Sequence, residues 1–288
     1  MKAKSCIAGF LMLVLWAGPR SHAQQSDTNF IETIKAKAEK GDAQAQFNLG
    51  CYYFTGNIVT QDLVESVRWF RKAADQGLPE AEECLAMRYY FGQGVKKDEG
   101  ESKKWIRKAA EHGRAGAQLA VAKTYLFGKK VDYKEGEKWA RKAAEQGYAD
   151  AEFILGYLYS QGQGVPKSNG EAVKWYHKSA EQGFSAAQCK LGLAYWLGDK
   201  GSPENFIEAF KWLSLSAAQG DDQAIKNLES VRREMSSEQI SRAQELTHEF
   251  KAHKGYSDNS SVSEEPSSAA TGFIITDDGY LISNYHVV

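Results

Sequence analysis

Apolar and polar positions recur along residues 28–250 with a step of 34 to 37 residues. In each unit an alanine is followed four positions later by an aliphatic residue, and after another four positions, in all but the last unit, by a tyrosine. A step of four keeps these side chains on one face of a helix. The residue after the aliphatic is small in five units, which lets a second helix approach closely. We call this predicted segment helix A, and its tyrosines are Tyr53, Tyr89, Tyr125, Tyr159 and Tyr195.

A second segment in each unit centres on a tryptophan that lies eight residues before a glycine. It is rich in strong helix formers and ends in glycine, which adopts the left-handed C-terminal turn without a Cβ penalty. We call this segment helix B. Glycine-containing loops such as 91–95 separate it from helix A and allow the chain to reverse. The tryptophans are Trp69, Trp105, Trp139, Trp175 and Trp212, and the glycines that follow them are Gly77, Gly113, Gly147, Gly183 and Gly220.

One such hairpin cannot bury its own apolar face, so the units must stack. The pattern therefore predicts an all-α fold, an α/α superhelical solenoid of about six helix-turn-helix repeats over residues 28–250. The last unit departs from the pattern, with Arg232 at the tyrosine position. The sequence Ser236–Gln239 then forms a capping box that opens an amphipathic helix. We expect this helix to seal the array.

The recurring sequence Ala-x-x-x-Leu-Gly-x-x-Tyr, followed by Gly-x-Gly-Val and Trp-x-x-Lys-Ala-Ala-x-x-Gly, resembles the Sel-1-like repeat family. Tetratricopeptide arrays are the alternative, but they favour a 34-residue step and lack the Gly-x-Gly-Val loop. The resemblance implies a scaffold for protein–protein interaction, without catalytic residues in the array. We expect protein or peptide partners on the inner face of a monomeric solenoid.

The tryptophans and tyrosines that recur in each unit are interpreted as structural, because residues common to all repeats first hold the repeats together. A partner should instead contact positions that vary. One such row lies one residue beyond the tyrosine, and packing between neighbouring hairpins is the alternative role for it. The row consists of Phe54, Tyr90, Leu126, Ser160 and Trp196.

Charge and spacing restrict the remaining chemistry. The 36 basic and 37 acidic residues nearly cancel, and no basic block stands apart, so nucleic acid is not an expected partner. His248 and His253 are five residues apart and do not share a helix face well. We predict no metal site and no cofactor.

The N-terminus has the features of a signal peptide over residues 1–23. Lys2 and Lys4 precede an apolar run from Cys6 to Ala17, and Ala23 ends a small-residue cleavage site. The run is shorter than the ~20 residues that span a bilayer, which disfavours the alternative of a membrane anchor. The sequence predicts export, to the periplasm or the medium, with no stable membrane span after cleavage. Three cysteines then remain, and we expect them to be buried free thiols: Cys51, Cys84 and Cys189.

The C-terminal residues have a different pattern. Residues 251–270 are predicted to be a flexible linker, rich in Ser, Asn, Glu and Pro from Gly255 onward. Residues 271–288 contain two β-rich runs separated by Asp-Gly, which is a strong hairpin signal. Their Gly-Phe-Ile-Ile, Asp-Gly-Tyr-Leu and Asn-x-His-Val-Val sequences resemble the start of trypsin-like peptidases of the HtrA/DegP type.

This resemblance implies that His286 is the general base of a serine peptidase. The aspartate and serine partners are absent from the sequence, which ends two residues after this histidine. We expect that the complete form continues into a serine endopeptidase. The alternative is a repeat adaptor without catalysis.

Overall fold

The computed structural model describes residues 21–198 and 205–254 and the backbone of two short segments, 273–275 and 281–283. Side-chain surroundings are described from Phe30 to His253, apart from 199–204. Most of the predicted signal peptide, most of the predicted linker and His286 lie outside the described residues.

The described array is entirely helical, as predicted. Its helices are α1 (Ser21–Glu39), α2 (Ala43–Thr55), α3 (Leu63–Asp75), α4 (Pro79–Phe91), α5 (Glu99–Glu111), α6 (Ala115–Phe127), α7 (Tyr133–Glu145), α8 (Ala149–Gln161), α9 (Asn169–Glu181), α10 (Ser185–Leu197), α11 (Phe206–Ala217), α12 (Asp222–Arg233) and α13 (Ser237–Lys254). Helices α2, α4, α6, α8, α10 and α12 are the A helices, and α3, α5, α7, α9 and α11 are the B helices.

In three hairpins a glycine of helix A faces a large side chain of helix B. A Cβ added to Gly50 would lie 2.7 Å from Phe70, and one added to Gly192 would lie 2.7 Å from Leu213. A Cβ added to Gly156 would lie 2.5 Å from the Tyr176 side chain. The small residue after the repeated aliphatic therefore permits close approach of the two helices within one repeat.

Helix α13 ends the array and begins with the predicted capping box. The Ser236 amide donates to Gln239 Oε1 at 2.9 Å, and the Gln239 amide donates to Ser236 Oγ at 3.2 Å. Ala243 is fully buried, and the Phe250 ring lies 5.3 Å from that of Trp212. The helix runs to Lys254, four residues past the predicted boundary of the array at 250.

The two strand segments, β1 (Phe273–Ile275) and β2 (Leu281–Ser283), pair antiparallel with Ile274 opposite Ile282. Strands of three residues do not identify the fold of a larger domain. The expected β-barrel start is therefore not supported by this pairing.

Within the described part of the chain, no helix combines the length and apolar character needed to cross a membrane.

Candidate binding surface

The repeated tryptophans lie inside the array, each with at most 9% of its surface exposed. In the first four repeats, the lysine of Trp-x-x-Lys places its ammonium group 3.8 to 4.3 Å from the centre of the indole ring. This is cation–π geometry. These contacts were not predicted, although the constant Trp-x-x-Lys spacing indicates them, because three residues are about one helical turn.

The repeated tyrosines are half-buried, and two of them connect neighbouring repeats. Arg107 Nη1 donates to the Tyr125 hydroxyl at 3.0 Å, and Arg141 Nη2 donates to the Tyr159 hydroxyl at 2.9 Å. Each bond joins helix B of one repeat to helix A of the next. The hydroxyl groups of Tyr125 and Tyr159 are therefore engaged in hydrogen bonds within the array.

A second set of polar contacts links buried side chains within and between repeats. In five repeats, a glutamine or glutamate directly follows the repeated alanine of helix A. Its side chain forms a hydrogen bond with the residue that precedes the glycine at the end of helix B in the same repeat. The donor–acceptor distances are 2.6 to 2.8 Å, for Gln46 with Gln76, Glu82 with His112, Gln118 with Gln146, Glu152 with Gln182, and Gln188 with Gln219. Three of the glutamines also donate to an alanine carbonyl of the preceding B-type helix, namely Gln46, Gln118 and Gln188. We call this set the amide ladder.

Two members of the amide ladder are carboxylates. Burial raises the pKa of Glu82, although the hydrogen bond from His112 acts in the opposite direction. Burial also raises the pKa of Glu152, against the effect of its bond from Gln182. The ladder was not predicted, although the recurring Gln or Glu after the alanine marks it in the sequence.

The predicted binding row consists largely of packed residues. Leu126 is only 3% exposed, and a Cβ on Gly136 of the same hairpin would collide with its side chain. The Tyr176 hydroxyl donates to Ser160 Oγ at 3.4 Å, again within one hairpin. Phe54 lies under the guanidinium of Arg88, 3.9 Å from its ring centre. Tyr90 and Trp196 are half-buried.

Exposed apolar side chains lie one residue further along, at the last position of helix A. Phe91, Phe127 and Leu197 are 40%, 58% and 66% exposed. Further exposed apolar residues lie in the loops or in the first turn of helix B: Ile58, Val64, Val131 and Tyr133. We use the name loop edge for the ends of the A helices, the A–B loops and the first turns of the B helices.

The three described cysteines are free thiols, two half-buried and one buried. Burial raises the pKa of Cys51 to about 11, of Cys84 to about 12 and of Cys189 to about 11. Thiols with pKa values this high are inert as nucleophiles near neutral pH. Arg88, close to the first two thiols, leaves Nε and Nη1 without a hydrogen-bond partner in its buried position.

Side chains that could hold a metal ion do not assemble in the described residues. No group of three or more His, Cys, Asp or Glu side chains with suitable placement occurs there. His112 and His177 instead face Glu82 and Glu181, at 2.8 and 3.6 Å.

Comparison with known proteins matches the repeats in both sequence and structure. The c5321 protein, a protective antigen present in uropathogenic Escherichia coli strains and displaying an SLR fold, superposes with a TM-score of 0.67 and 35% identity. The match covers 81% of this chain and 50% of c5321. A Sel1 repeat protein from Oxalobacter formigenes superposes with a TM-score of 0.59 and 30% identity, over 78% of this chain and 99% of that one.

A shorter match links the chain to the secretory immunoglobulin A-binding protein EsiB of Escherichia coli O6:H1. The two are 51% identical over 43 residues, which are 15% of this chain and 9% of EsiB. The chain thus spans half of c5321 and a small fraction of EsiB. The Sel1 repeat itself matches five consecutive times, at residues 43–78, 79–113, 115–148, 149–184 and 185–221. Since these matches cover more than half of the sequence, the chain belongs to the Sel1 repeat family.

Proposed function

We propose that this protein is a scaffold that binds a partner protein along the loop edge of its repeat array. The observation that carries the proposal is the concentration of exposed apolar side chains there, including Phe91, Phe127 and Leu197. Contiguous exposed apolar surface is typical of protein interaction sites. The repeated residues, by contrast, are taken up by packing within and between repeats.

Site-specific photo-crosslinking in cells that produce the protein tests this role. A photoreactive phenylalanine analogue at position 127 is expected to give discrete covalent adducts with a partner. The same analogue at Lys174, an exposed residue of helix B, serves as the control. Adducts of equal yield from both positions, or none from position 127, would contradict a loop-edge interface.

Secretory immunoglobulin A is the first purified partner to test, because the relative EsiB is named for binding it. If the array shares this partner, immobilised immunoglobulin should retain the wild-type chain. The variant Phe127→Ser should bind at least tenfold more weakly, while Lys174→Ser should bind normally. Absence of wild-type binding would exclude this immunoglobulin and leave the crosslinking result to identify another partner.

We also propose that residues 271–288 begin a trypsin-like serine peptidase domain in the complete form, with His286 as its general base. The support is the order of motifs from Gly272 to Val288 and their resemblance to HtrA/DegP-type peptidases. The array would then recruit substrates or partners for the peptidase.

Reading the coding sequence beyond Val288 tests this second role. We expect an aspartate and a Gly-x-Ser-Gly-Gly-like motif, and a product that reacts with a fluorophosphonate probe. The variant His286→Ala should lose this labelling, since the serine would lack its base. A stop codon directly after Val288 would instead support the adaptor alternative.

Export through an N-terminal signal peptide is a further part of the proposal. N-terminal sequencing of the mature protein, isolated outside the cytoplasm, is expected to begin at Gln24. A mature protein that retains Met1 would overturn it.

A further inference from the structure

The third repeat differs from its neighbours in the loop between helices A and B. Four residues separate Phe127 from the N-cap residue Asp132, whereas six lie between the corresponding positions of the first, second and fourth repeats. Gly128 is extended, with φ −78° and ψ −178°. The glycine that ends helix A in the other four repeats is left-handed, with φ from 59° to 72°, at Gly56, Gly92, Gly162 and Gly198.

The residues missing from this loop have a defined role in two other repeats. A Cβ on Gly94 would collide with the carbonyl group of Leu63, and one on Gly164 with that of Tyr133. In both repeats the second loop glycine therefore covers the start of helix B in the preceding repeat. The shorter third loop has no such glycine, and Glu99, the residue of α5 that corresponds to Leu63 and Tyr133, is exposed.

A cavity of about 650 Å³ lies next to this loop, between residues 103–111 of α5 and the end of α6. Its volume falls within the roughly 300–1,000 Å³ of ligand pockets. Its lining includes Lys103, Arg107, Glu111, Val121, Lys129 and Lys130.

The lining is strongly basic. Lys103, Lys104 and Arg107 of α5 and two loop lysines supply five cationic groups, and Glu111 is the carboxylate among the lining residues. Lys104 bonds Glu101 at 3.0 Å, and Arg107 bonds Glu111 at 3.0 Å. All five cationic side chains are exposed to solvent, and those of Lys104 and Arg107 also bond these glutamates.

Lys103, Lys129 and Lys130 distinguish the third loop region from its equivalents. The position of Lys103 is occupied by Val67, Glu137 and Val173 in the other repeats that contain the motif Trp-x-x-Lys. The positions of Lys129 and Lys130 are occupied by Asn57 and Ile58, Gln93 and Gly94, and Gln163 and Gly164. The repeat fold alone does not require positive charge here.

Apolar surface adjoins the charges. Val121 forms part of the wall, and the exposed side chains of Phe127 and Val131 flank the loop lysines in the sequence. A free inorganic anion would use only the cations. A peptide that carries both carboxylates and apolar side chains would use both kinds of surface, with the charges orienting its approach.

We propose that this cavity binds an extended acidic segment of a partner protein, with glutamate or aspartate on the five cations and an apolar side chain against Val121 and Phe127. This inference rests on the proposed scaffold function and names the chemistry of its partner.

Fluorescence anisotropy with a labelled octapeptide of alternating glutamate and leucine tests the inference. In the triple variant Lys103→Val, Lys129→Gln, Lys130→Gln, the first two changes introduce residue types found at these positions in other repeats, and the third removes the remaining loop charge. This variant is expected to weaken binding at least tenfold. A matched variant that removes the same charge elsewhere, Lys138→Gln, Lys174→Gln, Lys190→Gln, should bind the peptide as the wild type does.

A loop exchange provides a second test that leaves α5 unchanged. Replacing Gly128–Val131 by the six-residue loop 162–167 removes Lys129 and Lys130 and restores the longer loop, and it should abolish peptide binding. Circular dichroism of each variant checks that the array remains folded.

Three outcomes would overturn the proposal. Equal losses in both triple variants would indicate an effect of net charge alone. Displacement of the peptide by millimolar inorganic phosphate, with equal affinity for a peptide without leucine, would indicate a small-anion site. Unchanged peptide binding in the first variant would exclude the cavity. In that last case, persistence of crosslinks from position 127 would leave the scaffold function intact.

Discussion

At the scale of single residues, the tryptophan of each helix B makes a large contribution to the core. Trp139 is 7% exposed and lies in the middle of the array, with repeats on both sides. Its replacement by alanine removes a large apolar surface and leaves a cavity. We expect Trp139→Ala to lower the free energy of unfolding by about 3–5 kcal/mol.

Urea denaturation followed by circular dichroism measures this loss. Lys138→Ala, at the exposed neighbouring position, is the control and should leave the unfolding midpoint unchanged. A midpoint for Trp139→Ala equal to that of the control would show that the indole is dispensable.

The amide ladder predicts a pH-dependent effect at Glu152. The pKa of this carboxyl is raised above its ordinary value of 4.5, mainly by burial. A carboxyl group whose pKa is raised by folding stabilises the folded state when the pH is below the ordinary pKa. This contribution is lost as the pH rises through the folded-state pKa. Glu152→Gln should therefore stabilise the protein more at pH 8 than at pH 4.

Thermal unfolding of the Glu152→Gln variant across this pH range measures the difference. The glutamine can accept the bond from Gln182 and donate to the Ala144 carbonyl, as its counterparts do in three other repeats. The matched reverse change Gln118→Glu should lose stability as the pH rises. A gain for Glu152→Gln that is larger at pH 4 than at pH 8 would contradict the predicted sign.

The residues of the predicted binding row could not be assigned to the surface or the core from the sequence alone. The pattern of Ala, aliphatic and Tyr locates the buried face of helix A, because a step of four marks a face. The pattern does not determine whether the neighbouring positions of helix A face helix B or the solvent. Leu126 faces its own hairpin, whereas Phe127, about 100° further around the helix, is exposed.

At the scale of elements, the fit of helix A to helix B depends on paired volumes. Gly156 lies against Tyr176, whereas the second repeat has the larger Ala86 and the smaller Ile106 at the same positions. Adding a methyl group at Gly156 overpacks this contact. We expect Gly156→Ala to destabilise the array by about 1–3 kcal/mol.

A double-mutant cycle tests this pairing. Combining Gly156→Ala with Tyr176→Ile reproduces the residues of the second repeat and should recover part of the loss, giving a favourable coupling energy. Purely additive effects would show that the two positions do not constrain each other.

The terminal helix α13 is a second element with a specific role. Its Ala243 and Phe250 cover the last repeats, with Phe250 against Trp212. A chain that ends at residue 235 should expose this surface. Hydrogen exchange is expected to accelerate in α10–α12 well before it does in α4–α6. Uniform acceleration along the array would indicate that the helix has no local capping role.

At the scale of the whole molecule, the sequence was sufficient for the fold because the same residues recur five times. The positions of the tryptophans and glycines predicted both helices of each repeat and their connection. The capping box at Ser236 was predicted as well, since it is local in sequence. The cavity was not, because it depends on residues that are absent from one loop and on a neighbouring helix.

The array is expected to fold as an independent helical monomer. Residues 28–254 contain the tryptophan core, the amide ladder and the terminal helix α13. Sedimentation equilibrium of this fragment should give the mass of one chain, with a helical circular dichroism spectrum. A dimer mass or substantial strand content would contradict this expectation.

The shortened loop of the third repeat also changes what a partner can distinguish along the array. A stack of equivalent repeats offers several nearly identical positions, so a ligand could bind in more than one register. Among the repeats whose loops the structure describes, the basic cavity beside the third loop breaks that translational equivalence and gives the partner one defined position along the array. Moving the cavity by one repeat would then move the bound partner by one repeat along the solenoid.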